Sequence, residues 1–260
     1  MTMPGARLRG LACDLKIGIL FCTRLPLAYP DPIEGRDLAR ASWAMPAAGA
    51  LVGTLGALVY WIAHAAGLPA LLASASALTA TMAATGCLHE DGLADTADGF
   101  GGGNDRERKL EIMRDSAIGT YGACALAMSL ILRSSALASI ADPFSAAMAL
   151  ITTHASARAP LPAFMRLVPP ARTDGLSADA GRPPWGSVAA AGLLGMIALG
   201  LGLGPTTAFV GALALSSASV FMAWLSVKQI GGQTGDVLGA LEQINEILIL
   251  LAAAALMKTS

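Results

Sequence analysis

Four carboxylates fall within nine residues of the run His89-Glu90-Asp91-Gly92-Leu93-Ala94-Asp95-Thr96-Ala97-Asp98-Gly99. On a helix, Asp91, Asp95 and Asp98 stand at i, i+4 and i+7, a single stripe on one face. Like charges at that spacing repel, and a divalent cation removes the repulsion. Mg²⁺ in particular is held by one or two carboxylates together with substrate phosphates. The competing reading is a solvated acidic helix end, but such an end has no need of Gly92, Gly99 and the small residues that separate the acids. Phe100-Gly101-Gly102-Gly103-Asn104 follows, a loop whose bare backbone can approach a phosphate or simply turn the chain. Asn104 is placed to cap a further helix with Glu107 at its third position. Arg106, Arg108, Lys109 and Arg114 then supply cations suited to phosphate oxygens, with Arg114 adjoining Asp115 and Ser116. Positive groups beside a metal suit a pyrophosphate substrate.

The elements that must position these residues are membrane helices. Of 260 residues, 55% are hydrophobic and 13% charged, against about 25% charged in a soluble domain. Aromatics are only 5%, so the apolar content is mainly the small and aliphatic set that lets helices pack closely in lipid. The predicted fold class is all-α, a polytopic integral membrane protein, with 1–260 forming one domain. Stretches long and apolar enough to cross a bilayer lie near 43–64, 69–88, 117–140, 143–163, 186–204, 206–227 and 237–257, about seven transmembrane helices. Gly49 with Gly53, and Gly200 with Gly204, form GxxxG pairs that permit close helix contact.

Orientation follows from the basic residues, which accumulate in cytoplasmic loops. With the N-terminus inside, the inner segments hold Arg7, Arg9, Lys16, Arg24, Arg36 and Arg40, then Arg106, Arg108, Lys109 and Arg114, then Arg166, Arg172 and Arg182, and finally Lys228. Arg133 and Arg158 fall within spans, and only Lys258 is left outside. This places the inner loops 89–116 and 164–185 in the cytoplasm; the expected location is a bacterial cytoplasmic (inner) membrane. These loops are where function is to be sought. The apolar run Ile17 to Cys22 is too short for a signal peptide. A net charge of −1 gives no reason to expect nucleic acid as a partner. Cys13, Cys22, Cys87 and Cys124 show no CxxC spacing and read as apolar fillers.

The run HEDGLADTADGFGGG, continued by LEIMRDSAIGTYGA, resembles the signature of the cobalamin synthase, or adenosylcobinamide-GDP ribazoletransferase, family. Phe21-Cys22-Thr23-Arg24-Leu25-Pro26, the segment from Pro46 to Gly53, and Gly231-Gly232-Gln233-Thr234-Gly235-Asp236-Val237-Leu238-Gly239-Ala240 resemble it in the same order, so the likeness covers nearly the whole chain. The resemblance implies transfer from adenosylcobinamide-GDP to α-ribazole or its 5′-phosphate with release of GMP, and Mg²⁺ as cofactor. Such a transfer needs charge neutralisation more than covalent chemistry. Its residue roles would then be Asp91, Asp95 and Asp98 for the metal, joined by Asp115 and Asp236. Arg24 or Arg114 would steady the leaving phosphate. Gly101, Gly102, Ser116, Thr234 and Gly235 would contact substrate, and His89 or a spare carboxylate such as Glu90 would take the acceptor's proton. Arg172 is the one residue of 140–227 to which a role is extended. Oligomeric state, including a homo-oligomer, is left open.

Three other readings compete. A CDP-alcohol phosphotransferase shares the Asp91-Gly92-Leu93-Ala94 opening but has Arg where Asp95 stands. A prenyltransferase would show two dense acidic motifs, and this chain has one. A divalent-metal or corrinoid transporter would carry its ionisable residues near the bilayer midplane, whereas these fall at the inner boundary. Glu242 and Glu246, one turn apart within the last span, are expected to pair with Arg133 or Arg158, because unpaired charge there is costly. His64 and His154 have no evident partners in the sequence.

Overall fold

The computed structural model describes residues 4–27, 35–140 and 142–257. Lys258 lies outside them, as do the side chains of Arg7, Arg9 and Arg36. The chain opens with α1 (Pro4–Cys22) and α2 (Gly35–Ala41), which leads through a 3₁₀ turn into α3 (Met45–Ala65). Then come α4 (Ala70–Thr85), α5 (Leu88–Gly102), α6 (Arg106–Ile112) and α7 (Thr120–Ala138). The second half holds α8 (Pro143–Ala157), α9 (Leu161–Leu167), α10 (Leu176–Ala180), α11 (Trp185–Ile230) and α12 (Gly235–Leu256).

Residues 37–65, α7, α11 and α12 are long and apolar enough to cross a membrane, and α4 with α5 makes a fifth if that bent pair counts as one span. The all-α membrane class holds, while length and apolarity by themselves do not reach seven spans. Two differences from the predicted spans, together with α11 counting as one long helix, explain this. The second stretch stops at Thr85, where Gly86 and Cys87 take left-handed backbone and the chain turns by 90°. α5 therefore leaves the line of α4 and packs along α7 and the start of α12 instead of continuing the crossing. The fourth stretch breaks after Ala157, because Pro160 and Pro162 each remove a backbone donor. The 15 residues of α8 reach only about 22 Å.

The prediction of two spans within α11 matches its shape. Gly204 is non-helical and Pro205 follows it, and a Cβ built on Gly211 would sit 3.3 Å from Leu199 Cδ2. In a straight helix residues 199 and 211 would be about 18 Å apart, so the two arms fold back against each other. Gly200 and Gly204 face open space and mediate no packing. Gly49 and Gly53 do, since a Cβ on Gly53 would meet the Leu150 carbonyl at 2.7 Å, and this bare stripe seats α3 directly on α8.

α12 is the central helix, and its burial has three layers. Val237, Ala240 and Leu241 belong to one apolar core, and Ile249, Leu250 and Ala253 to another. Between them Glu242, Gln243, Asn245 and Glu246 are all buried. The loops beyond the first core are tied to one another. Arg106 donates from Nε to the Ile230 carbonyl (2.8 Å) and from Nη2 to that of Ala171 (2.5 Å). The Gln233 N–H bonds to Pro169 O and the Ala171 N–H to Gln233 O, each at 2.8 Å. At the same end the Arg166 guanidinium lies over the Trp185 ring and the Lys228 ammonium over that of Trp224. Such aromatic and basic pairs suit a membrane–water boundary.

Candidate active site at the α5–α12 junction

The acidic run is helical throughout, so Asp91, Asp95 and Asp98 do share a stripe of α5. Their surroundings differ sharply along it. Asp91 is exposed, Asp95 half-buried and Asp98 buried. Asp98 accepts the Gly119 N–H at 2.7 Å and the Gly122 N–H at 2.9 Å, one on each carboxylate oxygen. It thereby satisfies donors at the start of α7 that the helix itself leaves unpaired.

The place beside Asp91 and Asp95 is taken by Asp236, from the far end of the chain. Gly92 makes this approach close. A Cβ there would lie 2.7 Å from the Asp236 carbonyl oxygen, and Gly92 faces Gly239 backbone to backbone. Burial first, then the charges of Asp91, Asp236 and Asp98, push the Asp95 carboxyl up to about 7. Arg172 stands next to this group, with Nη2 3.7 Å from Asp236 Oδ2, while its Nη1 is buried without a partner. The bridge between 169–171 and Gln233 holds Arg172 there. Thr234 caps α12 by accepting the Val237 N–H (3.3 Å) and donates to Asp236 Oδ2 (3.1 Å).

Behind Asp91 and Asp236 opens a cavity of about 180 Å³, lined by residues that include His89, Arg172, Thr234, Gly235 and apolar side chains from α1, α2, α3, α9 and α10. His89 Nδ1 sits 3.3 Å from Arg158 Nη2. A guanidinium can only donate, so Nδ1 accepts and the ring proton is on Nε2. His89 thus offers the cavity a donor and is ill suited to taking a proton from it.

Other candidate residues are placed elsewhere. Glu90 turns away into the buried layer, where it pairs with Arg133 at 3.1 Å. Gly101 and Gly102 are the last turn of α5, not a loop, and Gly101 packs on the Tyr121 ring. Arg114 pairs with Asp174 at 2.7 Å on the surface, and Arg108 with Glu111 at 3.0 Å. Lys109 bonds Gln229, and Arg106 staples the two loops described above. Asp105, not Asn104, caps α6 by accepting the Arg108 N–H. Asp115 accepts the Ala117 N–H (3.0 Å) and, with Ser116, is exposed outside the cavity wall. Arg24 is exposed and its side chain packs over Gly86.

Beneath the cavity lies an ion network whose members come from four helices and the end of α8. Arg158 Nη1 is 2.6 Å from Glu242 and 3.3 Å from Glu246, Arg133 is 2.8 Å from Glu246, and His154 Nδ1 is 2.5 Å from Glu246. The two glutamates, expected to pair with Arg133 or Arg158, engage both arginines. Glu90 and His154 are additions that the sequence did not signal, because neither shares a helix with its partner. Among the described residues, His154, Glu242 and Glu246 are the one group whose three ligand atoms lie within 4.8 Å of one another. Two guanidiniums already neutralise that group, which leaves no role for a metal there. The aspartates at α5 and α12 are spaced more widely, an arrangement that leaves room for a cation shared with phosphate oxygens.

The sequence profile of the cobalamin-5-phosphate synthase family matches residues 14–254. The chain is 57% identical over 254 residues to an adenosylcobinamide-GDP ribazoletransferase of Bradyrhizobium diazoefficiens, covering 97% of this chain and 98% of that one. A protein of the same name from Mesorhizobium japonicum is 50% identical over 98% of each chain, and one from Azorhizobium caulinodans is 45% identical over 93% of this chain and 95% of its own. No solved structure matches significantly. With a matched profile over nearly its full length and relatives 45–57% identical, the chain belongs to the cobalamin-5-phosphate synthase family.

Proposed function

We propose that this membrane enzyme transfers the adenosylcobinamide phosphate group from adenosylcobinamide-GDP to α-ribazole, or its 5′-phosphate, releasing GMP. The observation that carries the reading is the meeting of Asp91, Asp95 and Asp236 from two helices, with Arg172 beside them, at the mouth of a cavity. A hydroxyl oxygen of the acceptor bonds to the phosphorus next to the corrinoid, the P–O bond to GMP breaks, and the hydroxyl proton leaves to a carboxylate of the cluster. Such a step rests on positioning and charge stabilisation. Arg172 Nη1, buried without a partner, finds one in a phosphate oxygen. The first turn of α12 leaves the Gly235 and Asp236 N–H groups outside the helix's own ladder, a further anion-binding element.

Mg²⁺ fits these residues, because carboxylates brought together from two helices repel one another and a divalent cation shared with phosphate oxygens relieves that repulsion. Asp91, Asp95 and Asp236 would hold it, with Asp98 kept for the α7 turn, and it would neutralise charge on the diphosphate. Purified protein in detergent, given adenosylcobinamide-GDP, α-ribazole and Mg²⁺, is expected to release GMP, and to release none when α-ribazole or Mg²⁺ is omitted. Absence of GMP with all three present would sink the assignment.

We further infer that the site faces the cytoplasm of a bacterial cell from its inner membrane, supported by the basic loops gathered at the end that carries the site. Reporter fusions in loop 89–116 and at the C-terminus are expected to report opposite sides. The same side for both would overturn the seven-span topology.

A further inference from the structure

The cavity behind the carboxylates has a size and lining that select among the parts of the two substrates. Its wall includes Phe21, Leu38, Met45, Leu161, Met165 and Ala178, contributed by five separate helices. Four of these, Leu38, Met45, Leu161 and Met165, are nearly inaccessible from outside, so the space is built into the fold and is not a surface groove. At about 180 Å³ it compares with the cavity of about 150 Å³ that is known to bind benzene. A small aromatic ring system entering through the open mouth therefore fits, and a corrin macrocycle with its amide side chains does not.

Polarity separates the two aromatic groups that remain, the guanine of the donor and the benzimidazole of α-ribazole. Guanine carries N–H donors and carbonyl and ring-nitrogen acceptors around its edge, and each left unpaired in an apolar site costs about 1–3 kcal/mol. Away from the carboxylate mouth, the lining includes Ser177 and Gln233. The Ser177 hydroxyl donates to Gln233 Oε1 at 2.5 Å, so that carbonyl oxygen is engaged and Gln233 offers its Nε2 donors without a free donor–acceptor pair to match the guanine edge. A dimethylbenzimidazole has apolar edges and a single acceptor nitrogen, and His89, which lines the cavity with its proton on Nε2, is a donor. The mouth, bounded by Asp91, Asp236 and Arg172, is then where the attached ribose and its reacting hydroxyl lie.

We propose that this cavity is the acceptor subsite, taking the benzimidazole base of α-ribazole, with the diphosphate of the donor outside it across the Asp91–Asp236 edge. The proposal rests on the transfer reaction assigned above and goes further by giving each substrate its own side of the carboxylates. Placing the base in the apolar wall aims the ribose at the cluster without any base-specific hydrogen-bonding loop.

The test is steady-state GMP release by the full-length protein in detergent, with each substrate varied in turn, for wild type and for Ala178→Phe. Ala178 is half-buried on the short helix α10, so a larger side chain there intrudes on the cavity while the membrane bundle is untouched. The KM for α-ribazole is expected to rise at least tenfold and that for adenosylcobinamide-GDP to stay within twofold. Leu38→Phe, on another helix, is read in the same way, so that a folding failure of one variant leaves the other. A rise in the donor KM alone would place guanine in the cavity and overturn the proposal, as would unchanged values for both substrates in a variant that elutes as a folded protein. Wild-type protein that releases no GMP refutes the transfer reaction itself, an outcome distinct from either of these.

Discussion

Asp91→Asn, Asp95→Asn and Asp236→Asn are each expected to lower GMP release by about 100-fold or more, the scale found when one pre-organised electrostatic group is lost at a site of developing charge. Membrane insertion and thermal stability should be unchanged, because these side chains are exposed or half-buried and two of them relieve repulsion when neutralised. Asp98→Asn is expected to behave differently. Both of its oxygens accept backbone N–H groups, from Gly119 and Gly122, and an amide can supply an acceptor for only one of them. That variant should lose stability together with activity, seen as a lower Tm in detergent. If Asp236→Asn kept near-normal turnover while Asp98→Asn lost activity at unchanged Tm, the metal-binding group would be the stripe of α5 alone.

The second large effect concerns the polar layer. Arg158→Met is expected to destabilise the protein by about 3–5 kcal/mol, the usual cost of stranding a buried charge, which is roughly a 10 °C fall in Tm. Glu242 and Glu246 would lose one guanidinium between them, and His89 would lose the donor that fixes its tautomer. Charge pairing explains why the layer tolerates burial at all. Glu90, Glu242 and Glu246 face Arg133 and Arg158, and each of the three carboxylates has a guanidinium nitrogen within 3.1 Å. Arg108→Met is the control, since its pair with Glu111 is more than 60% exposed on both sides and such pairs contribute at most about 1 kcal/mol. Equal stability of Arg158→Met and wild type would show that the layer is not a structural element.

Much of this was legible before any coordinates. Apolar stretches of membrane length and their basic boundaries are local properties, and so is the i, i+4, i+7 placement of Asp91, Asp95 and Asp98 on one face. The GxxxG pair at Gly49 was readable for the same reason, though the identical spacing at Gly200 served no contact. The second pair falls at the fold-back of α11, and spacing does not say whether a bare face has a neighbour.

Other features depended on which side chains meet across the fold. Asp98 looks like Asp95 in the sequence, yet the start of α7 packs against it and takes both of its oxygens. Arg106, Arg108, Lys109 and Arg114 form a basic patch on paper, but each has a partner in the folded chain. Arg172, 81 positions from Asp91, ends beside the aspartates because 169–171 is bridged to Gln233. The acceptor cavity has no local signature at all, since seven helices contribute its wall. The sequence by itself determined the membrane class and the charge on α5. Only the tertiary structure decided which of those charges remain available, because a charge is set by residue type whereas its partners are set by long-range packing.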